Sequence, residues 1–221
     1  MGHYMNRIGI FGGTFDPPHI AHLIIADKAQ ERLSLQKIVF VPAFVPPHKT
    51  DQTLSSFKDR IEMVSAATSN NNAFEVSDIE GTLTPPSYTV RTLSLLRKRL
   101  SSDSELYLII GSDSLMELDS WREPRRIVSY AKLAVYPRPG FISKTPHWIN
   151  SERIVILDSP ELPISSTALR RQIRERRSIR YRVPESVREI ILQKDLYRNV
   201  GINGSPSNQH EGINGESPLH S

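Results

Sequence analysis

Residues 8–22 read Ile-Gly-Ile-Phe-Gly-Gly-Thr-Phe-Asp-Pro-Pro-His-Ile-Ala-His, and no other stretch restricts the fold as much. The apolar run 8–11 has the length and composition of a buried strand. Gly12, Gly13 and Thr14 break it, and His19 opens a segment of helical periodicity. Strand, glycine turn and helix in that order let backbone N–H groups approach phosphate oxygens closely. Glycine serves there because a Cβ would hold a ligand off the chain and restrict φ. His19 and His22 stand three apart, on one face of the first helical turn and beside the glycines. Two imidazoles next to a phosphate cradle point to phosphoryl or nucleotidyl transfer, in which donors stabilise charge as it develops.

Other readings of the same residues stay in view. A glycine turn after a strand also occurs in α/β folds for packing alone. Two histidines at this spacing are compatible with zinc, although Asp16 is the only further ligand nearby and the chain has no cysteine. The stretch is neither a Walker A loop, which needs a following Gly-Lys-Ser/Thr, nor a Gly-x-Gly-x-x-Gly fingerprint.

Along the chain, short β-rich runs alternate with helical patterns, which predicts an α/β, Rossmann-like parallel sheet with helices on both faces. At 221 residues the chain suits one such domain. Strands are expected near 7–11, 37–41, 73–77, 105–110, 132–135 and 154–157. Helices are expected near 19–33, 56–68, 88–100, 114–118, 124–129, 166–176 and 184–194, with Ser87 and Ser165 as N-caps and Pro124 and Pro184 in first turns. Residues 1–6 read as an N-terminal extension, 7–200 as the domain and 201–221 as a tail. The tail repeats Gly-Ile-Asn-Gly at 201 and 212; two copies are too few for a solenoid, and the polar composition predicts disorder.

Composition narrows the partners. With 38% hydrophobic and 24% charged residues the chain looks like an ordinary globular protein. Its longest apolar stretch, 38–45, is interrupted by Pro42, so no membrane span is expected. No charged-then-apolar leader with a cleavage site is visible, which predicts an unexported, cytoplasmic protein. Zero cysteines exclude disulfides, thiolate zinc sites and a cysteine nucleophile. A net charge of +4 suits polyanionic substrates without requiring nucleic acid.

Further motifs fall on the edge where open α/β sheets bind ligands, beyond the strand C-termini at the strand-order switch. Ile164, Ser165, Ser166 and Thr167 offer hydroxyls and free N–H groups at a helix start, with Arg170 one turn on. Alone, such a segment is merely a cap. Gly111 would let a ligand ring pass close to the backbone, and Asp113 would accept from ribose hydroxyls or simply sit in a first helical turn. Ser87, Tyr88 and Thr89 open another helix, and Trp121 is either a packing residue or a stacking platform for a flat ring. Lys49 on a long loop is a phosphate contact or a solvated cation, and Arg138 is a second candidate for that role. Residues 170–182 hold seven arginines against Glu175 alone, which reads as an RNA-binding helix or as a solvated face.

The run Gly12-Gly13-Thr14-Phe15-Asp16-Pro17-Pro18-His19-Ile20-Ala21-His22 resembles the signature of the nucleotidyltransferases related to class I aminoacyl-tRNA synthetases. Within that group it is most similar to the bacterial nicotinate-nucleotide adenylyltransferases, over roughly residues 7–198. The resemblance implies transfer of the adenylyl group of ATP to nicotinate mononucleotide, giving deamido-NAD and pyrophosphate, with Mg²⁺ accompanying ATP. It assigns catalysis to His19 and His22. It assigns ATP binding to Gly12, Gly13, Thr14, Phe15, Gly111, Asp113, Ile164, Ser165, Ser166, Thr167 and Arg170. The mononucleotide would fall to Lys49, Ser87, Tyr88, Thr89, Trp121 and Arg138. The family usually carries glycine where this chain has Ala21, and often aspartate where it has Arg91. Phosphopantetheine adenylyltransferase shares the reaction and the glycine–histidine motif but has no need of the Ser-Tyr-Thr and Trp121 pair. A fold-preserving RNA-binding protein is the alternative outside enzymes. The enzyme reading expects no nucleic-acid or membrane partner and leaves a homo-oligomer open.

Overall fold

The central strands carry large apolar side chains on both faces, as a parallel sheet covered by helices on each side requires. The structure is a computed structural model that describes residues 6–46, 54–138, 140, 145–158, 160 and 162–198. Lys49, most of the N-terminal extension and the polar tail therefore lie outside the described residues. Six strands form the sheet: β1 (Arg7–Gly13), β2 (Lys37–Pro42), β3 (Phe74–Val76), β4 (Glu105–Gly111), β5 (Lys132–Tyr136) and β6 (Ile154–Ile156). Between and after them run α1 (Ile20–Leu33), α2 (Phe57–Thr68), α3 (Thr89–Arg99), α4 (Ser112–Met116), α5 (Pro124–Tyr130), α6 (Ser166–Arg174) and α7 (Glu185–Gln193). The expected α/β, Rossmann-like fold is the one observed.

The order across the sheet is β3-β2-β1-β4-β5-β6, and every neighbouring pair is parallel. The chain leaves β1 toward one edge and β4 toward the other, so the loops after these two strands part and leave a crevice. Period-two alternation divides the core. Ile8, Ile10, Val39, Leu106, Leu108 and Leu133 face α3 and α5, whereas Phe11, Ile38, Phe40, Tyr107 and Ile109 face α1 and α2. Helix α1 turns Ala21, Ile25, Ala26, Ala29 and Leu33 inward; its three alanines let it lie close to the sheet. A third cluster joins Leu169 and Ile173 of α6 to Val187 and Ile191 of α7 and to Met63 of α2, which fixes the C-terminal helices to the body of the fold.

Several local expectations are corrected. Gly12 and Gly13 do not break the first strand; they continue it, opposite Val41 and Pro42 of β2, and the chain leaves the ladder at Thr14. Pairing with β2 overrides the weak β-propensity of glycine. Helix α3 starts one residue later than predicted, with Tyr88 as N-cap, because the Ser87 hydroxyl instead accepts from the Val45 N–H at 3.1 Å. Pro184 is the N-cap of α7 rather than part of its first turn. Helix α4 begins at Ser112, directly after β4, earlier than the predicted 114.

One buried charge ties these loops together. Arg60 on α2 is only 2% exposed. Its guanidinium donates to the carbonyls of Thr14 (3.0 Å), Ala43 (2.6 Å), Phe44 (3.2 Å) and Ser55 (3.2 Å), so one side chain holds the segments that leave β1 and β2. These bonds satisfy backbone groups that would otherwise be buried unpaired. Arg60→Met keeps a long apolar stem and removes every donor. Thermal denaturation should show a loss of about 3 kcal/mol or more, a Tm lowered by roughly 6–12 °C. A shift under about 2 °C would mean that the carbonyls are held without it.

Candidate active site

The site grows from the end of β1. A Cβ on Gly13 would lie 2.9 Å from the Phe15 ring, so glycine there makes room for that ring. A Cβ on Gly12 would meet nothing within 4 Å among the described residues, so this face of the strand opens on a cavity. Phe15 is buried with φ of +51°, a left-handed conformation that costs a bulky residue free energy. Edge-on packing against Phe11 (centroids 5.7 Å apart) and His22 (5.0 Å) holds it there.

His19 is the N-cap of α1 and His22 its third residue. Their rings stack at 3.7 Å, and the His19 backbone N–H donates to His22 Nδ1 at 3.1 Å. Nδ1 therefore accepts, which leaves the His22 proton on Nε2. His19 is 6% exposed and its Nδ1 has no partner among the described residues. Burial, reinforced by the charge of Arg138, lowers its pKa to about 4, so it is neutral at pH 7. An orphaned buried nitrogen fits a site completed by ligand oxygens.

Two cavities flank this junction. One, of about 310 Å³, is lined by Gly12, Thr14, Glu80, Tyr88, Thr89 and Trp121 among others. The other, of about 340 Å³, is lined by His19, His22, Tyr136, Arg138, Ile164 and Ser165 among others. Of the expected site residues, Gly12, Gly13, Thr14, Ser87, Tyr88, Thr89 and Trp121 line the first chamber, and His19, His22, Arg138, Ile164 and Ser165 line the second. Arg138, expected as a phosphate contact, lines the histidine chamber. There it pairs with Asp113 (3.1 Å), and a Cβ on Gly111 would collide with the Asp113 carboxylate. Gly111 therefore leaves room for this ion pair.

Helix α6 docks on the loop between β1 and α1. Ser165 caps the helix by accepting from the Ala168 N–H at 3.2 Å, and the Ser166 hydroxyl donates to the Pro17 carbonyl at 2.8 Å. Arg170, 8% exposed, donates to the Asp16 carbonyl at 2.7 Å, while Thr167 is exposed at the helix start. The Asp16 carboxylate is fully buried and accepts from the Tyr197 hydroxyl (2.6 Å) and the Ser55 N–H (3.3 Å). It faces into the protein, which removes it as a zinc ligand beside the histidines. Burial, then the Asp16 charge, pushes the Tyr197 hydroxyl well above its ordinary pKa and keeps it a donor. Among the described residues no three His, Asp or Glu side chains converge to hold a metal, so the donor set does not build a resident Mg²⁺ site.

Sequence reasoning missed Arg60, Tyr197 and Glu80. Glu80 lines the Tyr88–Trp121 chamber, accepting from the Thr92 hydroxyl (2.8 Å) and the Phe44 N–H (3.1 Å). No local pattern marks any of the three. The arginine-rich segment is not one basic face: Arg170 points inward, Arg182 donates to Gln172, and Arg177 and Arg180 approach Glu175 and Glu185. Arg171 and Arg174 close the last turn of α6, where positive charge complements the helix dipole. Among the described residues no helix is long and apolar enough to cross a membrane.

Residues 10–172 match the family model described as Cytidylyltransferase-like. A protein of Rubrobacter xylanophilus named "Probable nicotinate-nucleotide adenylyltransferase" is 40% identical over 198 residues, 87% of this chain and 92% of that relative. One of the same name from Desulfitobacterium hafniense is 42% identical over 202 residues, 87% of this chain and 96% of its own. The chain belongs to the nicotinate-nucleotide adenylyltransferase family. Among solved structures, the Plasmodium falciparum nicotinic acid mononucleotide adenylyltransferase complexed with NaAD superposes with a TM-score of 0.70 at 21% identity. That match covers 87% of this chain and 97% of the other, and shows a shared fold.

Two measurements probe the histidines. His19 has a pKa of about 4 folded against 6.5 unfolded, so between these values the unfolded chain binds a proton that the native chain does not. Stability therefore falls as pH drops from 6.5 toward 4, by up to roughly 3 kcal/mol. Denaturant titrations of wild type and His19→Gln should converge over that window; parallel curves would count against a buried neutral His19. His22→Ala should lower kcat ~10²–10³-fold with Tm little changed, as for loss of one preorganised donor. Near-normal kcat in the folded variant would remove His22 from the chemistry.

Proposed function

We propose that this chain transfers the adenylyl group of ATP to nicotinate mononucleotide, releasing pyrophosphate and forming deamido-NAD, a step of NAD biosynthesis. The observation that carries the reading is a pair of chambers beside the turn after β1, one lined by the stacked His19–His22 pair and the other by Gly12 to Thr14, Tyr88 and Trp121, which gives each substrate a place. The curated relatives bear the name of this activity, and the Plasmodium protein was solved with NaAD.

The chemistry asks for positioning more than for a protein nucleophile. A phosphate oxygen of the mononucleotide, already ionised at neutral pH, attacks the α-phosphorus in line. A new P–O bond forms as the bond to the β-phosphate breaks and pyrophosphate departs. His22, its proton fixed on Nε2, donates to phosphate oxygens as charge develops, and neutral His19 offers its buried Nδ1 beside it. Arg138 brings positive charge to the ATP chamber, and the first N–H groups of α6 point to its phosphates. Mg²⁺ accompanying ATP would supply positive charge to its phosphates. The cytoplasm is the proposed place of action, and no nucleic acid or membrane takes part.

In the other chamber, Trp121 stacks on the pyridine ring, worth ~1–3 kcal/mol for either the acid or the amide form. The N-terminus of α3 at Tyr88 and Thr89 favours the acid. Glu80, at the wall of the same chamber, accepts from the Thr92 hydroxyl and the Phe44 N–H, which fix its carboxylate in place. Pyrophosphate release should be measured with nicotinate mononucleotide, nicotinamide mononucleotide and phosphopantetheine as acceptors. The acid mononucleotide should give the highest kcat/KM. A preference for the amide would overturn the acceptor assignment, and turnover of phosphopantetheine alone would overturn the pyridine reading.

A further inference from the structure

We infer that Arg122 determines substrate specificity, its guanidinium pairing with the ring carboxylate of the pyridine mononucleotide. The inference rests on the proposal that the chamber beside Trp121 is the mononucleotide site.

Among the described residues that line this chamber, two are charged, Glu80 and Arg122. Glu80 is committed to Thr92 and Phe44. Arg122 makes no hydrogen bond or ion pair among the described residues. Its guanidinium lies 5.1 Å from the centre of the Tyr88 ring, a cation–π contact that orients the fork while leaving its N–H groups to a ligand. Nearby acids are engaged elsewhere: Glu123 with Arg126 at 2.5 Å, and Asp119 with the Trp148 indole N–H at 2.6 Å. Arg91, the other guanidinium against Tyr88, lies outside this chamber and donates to the Thr84 carbonyl at 3.1 Å. Among the described residues Arg122 is thus the uncommitted cation of the site, next in the chain to Trp121.

The chemistry of discrimination calls for such a group. The N–H groups at the start of α3 bind a carboxamide oxygen as readily as a carboxylate oxygen, so they separate the two forms only through the helix dipole. A guanidinium adds a full charge and two parallel donors, which a carboxylate satisfies at both oxygens and a carboxamide at one. Arg122 would therefore set most of the preference for the acid, and the dipole of α3 the smaller share.

The test compares full-length wild type, Arg122→Ala and Arg122→Lys, with kcat/KM for both mononucleotides at saturating ATP and a melting curve for each protein. The expected result for Arg122→Ala is a ~10–100-fold loss on nicotinate mononucleotide, carried by KM, with the nicotinamide form within about twofold of wild type. Arg122→Lys should recover part of the loss, since it restores the charge but not the fork. An equal loss on both mononucleotides overturns the inference by placing Arg122 on the shared phosphate. An unchanged ratio in an active, folded variant overturns it as well. Wild-type enzyme inactive on both mononucleotides overturns the functional proposal itself, a result distinct from either.

Discussion

The geometry of this protein depends on one buried residue, Asp16. Its carboxylate is sealed from water and held by the Tyr197 hydroxyl and the Ser55 N–H, while its carbonyl accepts from Arg170. A buried carboxylate is tolerable only when donors replace its lost hydration, and here they come from parts of the chain far apart in sequence. Asp16 sits between Thr14, which borders the Tyr88–Trp121 chamber, and His19, which borders the histidine chamber. Fixing Asp16 therefore fixes the distance between the two chambers. In-line transfer tolerates little error in that distance.

The same loop is held on its other flank by Arg60, whose guanidinium gathers the Thr14, Ala43 and Phe44 carbonyls. Between the two anchors, Phe15 is kept in a left-handed conformation by its aromatic neighbours. The costs of that conformation and of two buried charges are local, and the gain is a rigid junction. The stacked histidines extend this logic. Their mutual hydrogen bond fixes a tautomer without help from a carboxylate, so the donor is set before any substrate arrives.

Features with local causes were legible in the sequence. The strands follow apolar runs, the helices follow periodicity and caps, and His19 and His22 announce themselves by spacing beside glycines. Features with distant causes were not. Arg60 looks like any helical arginine until two loops are folded around it, and Glu80 lies in a stretch without pattern. Gly111 stands out locally, but the Asp113–Arg138 ion pair packed against it arises only from the pairing of β4 with β5. The glycines after Phe11 were expected to end a strand because intrinsic propensity is local, whereas the ladder that keeps them in it is not. Arg170 was found as a conspicuous cation, but its target, the Asp16 carbonyl, could be known only from the folded chain.

The bonds that fasten the catalytic loop join residues 149, 154 and 181 positions apart. During synthesis β1 and α1 emerge first, and the sheet can grow strand by strand as β2 to β5 follow. The loop that bears the histidines gains its last anchor only when Tyr197 has left the ribosome. A nascent chain stopped short of that point has its sheet but not its reaction geometry. The geometry around Asp16 is thus complete only once a residue 181 positions further along has folded back onto it.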